Sequence, residues 1–303
     1  MSRLAARLPA PLLGAAAMAV GALCIAGNHS LVRYAAPELS ALQIAALRFL
    51  FAVPLLLPWM LRGRGAALRT RRWALHFGAA VLTVGTTALL FTALARMPLA
   101  EATALNFTVP LFTTLVAALL LKERVDAGRW AATVCGFLGV LLILRPGFED
   151  VRPVTLLPMA AALLLAFWYL SLKRMAPTES RMTVTIYQTV YAALLLTVLA
   201  LPGWQTPSWQ AIGATFAMGV LGTVAIFLMS WAFAAADASV VAPIDYARLP
   251  FVALIAYFAF GEVPDWLTIA GAVVIIGAAL TIARREAMME RRRQAEARDT
   301  SPA

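Results

Sequence analysis

The sequence predicts an all-α integral membrane protein with ten transmembrane helices, arranged as two five-helix repeats inverted relative to each other. Of its 303 residues, 62% are hydrophobic and only 13% are charged, against roughly 45–50% and about 25% in soluble domains. Apolar runs near twenty residues in length recur along the chain, and each can cross a hydrocarbon core of ~30 Å. The second half of the chain also resembles the first.

Each predicted span is an apolar run bounded by short segments that contain Pro, Gly or charged residues. The first run follows Arg3 and Arg7, as in a signal peptide, but Leu23 stands where a lipoprotein cleavage site needs a small residue, so we expect a retained helix. Glycines in the fifth and tenth runs predict close packing between helices or protomers. The ten predicted spans are Pro11–Leu31, Leu39–Leu61, Ala74–Ala95, Leu99–Leu121, Gly128–Leu144, Val154–Leu172, Thr183–Leu201, Trp209–Ala235, Ser239–Phe260 and Pro264–Ala283.

The distribution of Lys and Arg predicts the orientation. With the N-terminus inside, the inner segments carry nineteen Lys and Arg residues and the outer segments carry four. Cytoplasmic segments are enriched in Lys and Arg, so both termini are expected in the cytoplasm. This distribution also accounts for the formal charge of +10, and we therefore expect no nucleic-acid partner.

One stretch, Met97 to Glu123, recurs in related form from Ala238 to Glu262. When Pro110 is placed on Pro250, both stretches pass from small residues through a polar patch to a proline, an apolar run and a glutamate. A proline deep in an apolar helix removes one backbone hydrogen bond and bends the helix. Two such helices at matching positions are typical of a transporter built from inverted repeats, with its site near the midplane.

The repeat extends beyond that stretch. Ser30-Leu31-Val32-Arg33 at the end of helix 1 matches Ser171-Leu172-Lys173-Arg174 at the end of helix 6. Because each repeat has an odd number of helices, the second repeat enters the membrane from the opposite side. We expect the first repeat at residues 9–146, the second at 153–285, and a charged cytoplasmic tail at 286–303.

These residues carry a family resemblance. The pattern from Ala100 to Glu123, followed by Trp130 and a glycine-containing helix, resembles the EamA repeat of the drug/metabolite transporter superfamily, and Leu47-Arg48-Phe49 is similar to the Arg-Phe of its second helix. The second half matches less closely: it has Gly261-Glu262 in place of Lys-Glu, and helix 7 has no Arg-Phe. Within this branch the chain most resembles amino acid exporters of the YddG type.

The resemblance implies a secondary transporter of small organic metabolites in the bacterial inner membrane. The expected activity is export of amino acids, with aromatic ones as candidates, by alternating access. The alternatives are a carrier for another metabolite class, such as nucleotide-sugar or cofactor-like molecules, and a membrane-embedded enzyme. An enzyme is disfavoured because the sequence has no H-E-x-x-H or G-x-S-x-G motif, and because His76, one of only two histidines, is expected at the membrane interface.

Charged residues inside predicted helices are the main candidates for substrate binding, because they are costly there. Asp245 and Arg248 lie three residues apart on one helical face. They either neutralise each other or present complementary charges to a zwitterion. Tyr246 and Asn106 occupy matched positions in the two repeats and are expected to line the same cavity. Arg48 is expected to pair with the backbone or a carboxylate of another helix.

Further candidates lie in helices 1, 6 and 7. Asn28 and His29 lie near the outer end of helix 1, where a hydrated helix terminus is the alternative explanation. Tyr187, Gln188 and Tyr191 share a face of helix 7, and Trp168 lies on helix 6. Rings with an amide suit a flat amphipathic solute, although packing against neighbouring helices explains them equally well.

The partners that we expect are a small-molecule substrate, the lipid bilayer and protons. If protons drive transport, Asp245 and Glu101 are the deepest predicted carboxylates that could titrate. No cofactor or metal site is expected. The two cysteines, Cys24 and Cys135, lie in apolar runs, where cysteine acts as a small packing residue.

Overall fold

The structure is a computed structural model, and it describes residues 10–61, 68–120, 127–144, 152–175, 178–235 and 242–299. All regular secondary structure in these ranges is helical, which confirms the predicted all-α class. The helices are α1 (Ala10–Ala35), α2 (Ala41–Leu61), α3 (Trp73–Arg96), α4 (Leu99–Asn106), α5 (Val109–Leu120), α6 (Ala127–Leu144), α7 (Leu156–Met175), α8 (Arg181–Ala200), α9 (Trp209–Ala235), α10 (Arg248–Phe260) and α11 (Trp266–Asp299).

The helices have the lengths and surfaces of a membrane protein. Within the described ranges, eight segments are long and apolar enough to span a bilayer, with α4 and α5 together forming one of them, and a shorter apolar segment lies at Trp130–Leu144. Large apolar side chains cover the exterior: Phe258 is 80% exposed and Leu119 is 71% exposed. Such a surface is stable only against lipid, because soluble monomers rarely expose large contiguous apolar patches.

Short polar residues begin several of the helices. The Ser180 hydroxyl accepts a hydrogen bond from the Thr183 N–H at 3.0 Å, and Asp265 accepts one from the Thr268 N–H at 2.8 Å. These contacts satisfy N–H groups that have no partner within the helix. Ser208 caps α9 by accepting from the Ala211 N–H. The local sequence therefore sets where these spans start.

The helices pair in a pattern with approximate twofold symmetry. The strongest pairings are α1 with α9, α3 with α7, α2 with α8, and α6 with α11. The helices of the second half correspond in order to those of the first, so that α1, α2, α3, α4–α5 and α6 match α7, α8, α9, α10 and α11. Under this correspondence the pairing of α1 with α9 becomes that of α7 with α3, so the first two pairings exchange. The other two pairings each map onto themselves. The contacts thus have the symmetry expected of two inverted repeats.

The fourth predicted span, Leu99–Leu121, is interrupted rather than merely bent. It consists of α4 and α5, separated by Phe107 and Thr108, and its predicted last residue lies outside the described ranges. Pro110 has no N–H to give to the carbonyl of Asn106. The Thr108 hydroxyl instead closes the end of α4 by donating to the Leu105 carbonyl at 2.7 Å. The span is therefore broken near the proline where the sequence predicted a bend.

The ninth predicted span, Ser239–Phe260, is also irregular. Its first residues lie outside the described ranges, a 3₁₀ helix covers Ala242–Ala247, and α10 begins only at Arg248. Pro250 cannot bond the carbonyl of Tyr246, just as Pro110 cannot bond that of Asn106. The two prolines thus interrupt both repeats at matching positions. At the other end of α10, Gly261 ends the helix with φ 67°, a left-handed conformation that favours glycine.

The last helix continues beyond the last predicted span. The tenth span was predicted to end at Ala283, and the apolar, membrane-length part of α11 runs from Trp266 to Arg285. The helix itself continues through charged residues to Asp299.

Glycines bring α6 and α11 into close contact. A Cβ atom built on Gly139 would lie 2.8 Å from the carbonyl oxygen of Gly271, and one built on Gly271 would lie 2.6 Å from that of Gly139. Both contacts are with backbone, which cannot rotate away. Gly277, on α11 as well, has no such neighbour within 4 Å. The predicted close packing thus occurs between α6 and α11, at Gly139 and Gly271.

We predict that Gly139→Ala or Gly271→Ala lowers the free energy of unfolding by about 1–3 kcal/mol, because an added methyl group would force the two backbones apart. The measurement is the thermal unfolding midpoint of the purified protein in detergent. Gly277→Ala is the matched control and should keep or raise the midpoint, since alanine favours helix by about 1 kcal/mol over glycine. Equal midpoints for all three variants would contradict this packing.

Candidate functional site

The interrupted fourth and ninth spans meet at a group of charged and aromatic side chains. The Arg248 guanidinium donates to Asp245 Oδ2 at 3.0 Å and lies 4.6 Å from the centre of the Phe107 ring. The ring of Tyr246 lies 4.9 Å from the same Phe107 ring. The two repeats therefore touch through residues that flank the helix breaks. Asp245 and Arg248, the predicted charge pair, therefore bond each other. The second carboxylate oxygen, Asp245 Oδ1, is buried and has no hydrogen-bond partner among the described residues.

Two buried asparagines connect helices of different repeats. Asn106 Nδ2 donates to the Pro158 carbonyl of α7 at 3.4 Å, and Asn28 Nδ2 donates to the Met218 carbonyl of α9 at 2.8 Å. Both side chains are almost fully buried. Asn28 is thus a contact between helices and not the hydrated helix terminus that the sequence allowed.

His29, Arg48 and Tyr169 complete this region. His29 is buried, its Nδ1 has no hydrogen-bond partner in the described part of the chain, and it lies within electrostatic range of Arg248 and Arg48. Tyr169 of α7 lies within electrostatic range of both Asp245 and Arg248. We call the following set the central polar cluster: His29, Arg48, Asn106, Phe107, Tyr169, Asp245, Tyr246 and Arg248.

Sequence reasoning missed two members of the cluster and gave a third another role. Phe107 and Tyr169 directly follow Asn106 and Trp168, which had been singled out. The helix break between α4 and α5 places Phe107 against the second repeat. The sequence pattern of a regular helix does not predict that contact. Arg48 was expected to pair with another helix, and its position depends on how α2 packs against α3 and α9.

The predicted aromatic face of α8 lies elsewhere, against the beginning of α3. The Tyr187 ring stacks on His76 with centres 4.7 Å apart, and the Tyr191 ring meets Phe77 edge-on at 5.8 Å. Gln188 donates to the His76 carbonyl at 3.3 Å. These contacts favour packing, the alternative that the sequence left open, and the structure does not bring these three residues to the central polar cluster.

Two further residues pack near α8. His76, near the start of α3, is completely buried, and its Nε2 lies 3.4 Å from the Glu179 carboxylate of the other repeat. Trp168 packs beside α3 and α8, with its ring 5.4 Å from that of Tyr169, so it borders the cluster. Its indole N–H has no hydrogen-bond partner.

A second polar region lies near the last residues of α3, at the other end of that helix from His76. Ion pairs hold this region together. Arg33, at the end of α1, pairs with Glu262 at 3.2 Å. Glu262 also accepts a hydrogen bond from the Leu99 N–H, the first of α4, at 2.8 Å, where a helix favours a negative charge. Arg152 pairs with Glu101 of α4 at 3.2 Å. We refer to this region as the Arg33 end.

A cavity of about 340 Å³ opens at the Arg33 end. Glu101, Arg152, Glu262, Asp265 and Thr268 are among its lining residues. Its charged groups are largely paired with each other, which distinguishes it from the central polar cluster. Nowhere in the described ranges do three or more His, Cys, Asp or Glu side chains group closely enough to hold a metal ion.

The sequence profile of the EamA-like transporter family matches residues 12–145 and, a second time, residues 153–284. The chain belongs to the EamA-like transporter family. The double match agrees with the two related halves and with the symmetric helix pairing described above.

Several curated relatives cover most of this EamA-like transporter. It is 33% identical over 256 residues to an S-adenosylmethionine uptake transporter of Rickettsia prowazekii, a match that covers 84% of this chain and 87% of the relative. It is 33% identical over 287 residues to a riboflavin transporter of Vibrio cholerae, covering 93% and 96%. A pseudopaline exporter of Pseudomonas aeruginosa is 26% identical, covering 84% and 90%. All three are named as transporters of small metabolites.

A solved crystal structure shares the fold of this EamA-like transporter. The match has a TM-score of 0.62 and 20% sequence identity, and it covers 91% of this chain and 98% of the solved chain. At this identity the likeness concerns the arrangement of helices alone.

Glu262 should stabilise the Arg33 end through two separate contacts. We predict that Glu262→Ala lowers the free energy of unfolding by about 1.5–3 kcal/mol, because it removes the ion pair to Arg33 and the hydrogen bond that caps α4. Glu262→Gln should cost less, since its amide oxygen can still accept from the Leu99 N–H. The measurement is thermal unfolding in detergent.

A double-mutant cycle with Arg33→Gln provides the control for this prediction. The loss of stability in the double mutant should be smaller than the sum of the two single losses by about 1 kcal/mol, as expected for a partly exposed ion pair. Full additivity would show that the Arg33–Glu262 pair contributes nothing to stability.

Proposed function

We propose that this EamA-like transporter carries a flat, cofactor-like metabolite across the bacterial inner membrane by alternating access, and that the central polar cluster binds it. The observation that carries the proposal is a set of buried polar atoms in or beside the cluster that find no hydrogen-bond partner among the described residues, namely His29 Nδ1, Arg48 Nε, Asp245 Oδ1, Arg248 Nε and Trp168 Nε1. Unpaired polar groups are expensive in a bilayer, and a bound polar solute would satisfy them.

The position of the cluster supports the same conclusion. It lies where the two repeats meet and where both interrupted helices leave their regular backbone hydrogen bonding. In inverted-repeat transporters, interrupted helices of this kind surround the substrate near the midplane. The cavity at the Arg33 end is a weaker candidate for the main site, because Arg152–Glu101 and Arg33–Glu262 already satisfy much of the charge there.

The chemical class of the substrate follows from the rings and from the relatives. Phe107 and Tyr246 present aromatic faces beside Arg248, a surface that suits a planar ring system. Relatives named for S-adenosylmethionine and riboflavin each concern a metabolite with a fused aromatic ring. These observations favour the cofactor-like alternative over amino acid export.

Amino acid export loses two of its supports. Asp245 and Arg248, which were to receive the two charges of a zwitterion, bond each other at 3.0 Å. Tyr187, Gln188 and Tyr191, which were to receive an aromatic side chain, are engaged with α3. Aromatic amino acids therefore serve as the competing class in the assay below.

Contacts between the repeats at the Arg33 end support alternating access. The Arg33–Glu262 pair joins one repeat to the other, and Arg152, in the segment just before the second repeat, pairs with Glu101 of the first. In this proposal they close that end in the present conformation and separate when the repeats rock. We further propose, from the distribution of Lys and Arg, that the Arg33 end faces the periplasm and both termini face the cytoplasm.

The substrate class can be tested by counterflow in proteoliposomes with S-adenosylmethionine, riboflavin and tryptophan. We expect saturable counterflow of S-adenosylmethionine or riboflavin, and we expect Asp245→Asn and Arg248→Gln each to lower it at least about tenfold, because each change leaves a buried charge unpaired. Arg71→Gln, which removes an exposed arginine outside the cluster, should leave counterflow unchanged. Counterflow of tryptophan alone would favour amino acid transport instead.

Proton coupling through Asp245 or Glu101 is a separate proposal. A proton-coupled carrier should accumulate its substrate when a pH gradient is imposed. If Asp245 carries the proton, Asp245→Asn will abolish this accumulation, whereas Glu101→Gln will preserve it. The opposite pattern would assign the proton to Glu101. If the wild-type protein accumulates its substrate to the same level with and without the pH gradient, neither residue carries a coupled proton.

A further inference from the structure

Arg48 differs from the other buried or partly buried ionic groups in the described ranges. Asp245, Glu101 and Glu262 each pair with an arginine. Within the same ranges no carboxylate lies within ion-pair distance of the Arg48 guanidinium, and its Nε is buried without a hydrogen-bond partner. The expectation that Arg48 pairs with the backbone or a carboxylate of another helix therefore finds no support in the described residues.

The structure nevertheless holds the Arg48 guanidinium in a defined place. It lies 4.5 Å from the centre of the Phe49 ring and 5.9 Å from that of Phe91. A Cβ atom built on Gly222 of α9 would lie 2.7 Å from Arg48 Nη2, so only glycine leaves room for the guanidinium at that position. Aromatic faces attract a cation but do not replace an anion that accepts hydrogen bonds.

The charge of the central polar cluster is unbalanced as a result. Arg48 and Arg248 contribute two guanidinium groups, and Asp245 is the one carboxylate among the cluster residues. His29 lies within electrostatic range of both arginines. A positive charge without a partner is costly in a low-dielectric environment, and a guanidinium has the fork of donors that binds a carboxylate or phosphate through two hydrogen bonds.

We propose that Arg48 binds an oxyanion group of the transported solute, either a carboxylate or a phosphate. The solute would supply the negative charge that the cluster lacks, while its planar part lies among the aromatic rings. This inference rests on the proposed function, because it assumes that the central polar cluster holds the solute, and it adds a charge requirement to the substrate class.

The first test compares two ligands that differ only in the charged group. Indole-3-acetate and indole-3-acetamide share the ring and the shape, but only the acetate is an anion. With the purified full chain in detergent, thermal stabilisation measured over a range of ligand concentrations yields the apparent affinity of each. We expect the acetate to bind at least about tenfold more tightly than the acetamide.

Four variants relate that preference to Arg48. Arg48→Gln should abolish the preference for the acetate, and Arg48→Lys should keep part of it, because the charge remains without the fork of donors. Gly222→Ala should weaken it by displacing the guanidinium while retaining its charge. Arg71→Gln, the control, should leave it intact. If Arg48→Gln does not fold, Arg48→Lys and Gly222→Ala decide the question.

A second comparison separates the two oxyanions. Riboflavin 5′-phosphate against riboflavin tests for phosphate, and S-adenosylmethionine against its decarboxylated form tests for carboxylate. Counterflow of the member that carries the phosphate or carboxylate should exceed that of its partner at least about tenfold in wild type, and Arg48→Gln should remove the difference. The pair that shows this behaviour identifies the oxyanion.

The outcomes distinguish failure of the inference from failure of the proposed function. Equal stabilisation by the two indole ligands in wild type, no stabilisation by either, or a preference that survives Arg48→Gln would overturn the role of Arg48. If the indole-3-acetate preference depends on Arg48 but no cofactor-like metabolite is transported, the oxyanion site stands and the proposed substrate class is wrong.

Discussion

The structure depends on the need to satisfy every backbone N–H and C=O group within the bilayer. A regular helix meets this need by itself, and most spans of this chain are regular. Pro110 and Pro250 each remove a donor at matching depths of the two repeats, so the carbonyls of Asn106 and Tyr246 lose their helical partner. The central polar cluster lies around these two interruptions, where irregular backbone is buried between the repeats.

Two kinds of contact join the repeats, and they have different consequences. Close backbone approach, as between Gly139 and Gly271, leaves no room for rearrangement and suits helices that remain packed together. Ion pairs at the Arg33 end can separate at modest cost, because partly exposed charges are rehydrated when they part. A carrier that rocks about a central site needs both: fixed helix pairs around the outside and breakable contacts over its entrance.

The sequence was sufficient for the features that depend on composition or on repetition. Apolar run lengths predicted the spans, and the match of Pro110 with Pro250 located the centre of the molecule and four members of its polar cluster: Asn106, Asp245, Tyr246 and Arg248. It could not show that Asp245 and Arg248 bond each other, nor that Tyr187 and Tyr191 face α3. An aromatic residue in a membrane helix has the same pattern whether it faces a solute or another helix.

What the sequence alone determined, therefore, is an all-helical membrane protein of two related halves with interrupted helices at matching positions, because these properties follow from local chain chemistry. Tertiary structure alone decided which buried polar groups are satisfied and which are not. Arg48 illustrates the difference: its neighbours Phe91 and Gly222 lie far away in the chain. Whether a charge finds its partner in the protein or requires one from a solute depends on contacts between helices that no local pattern encodes.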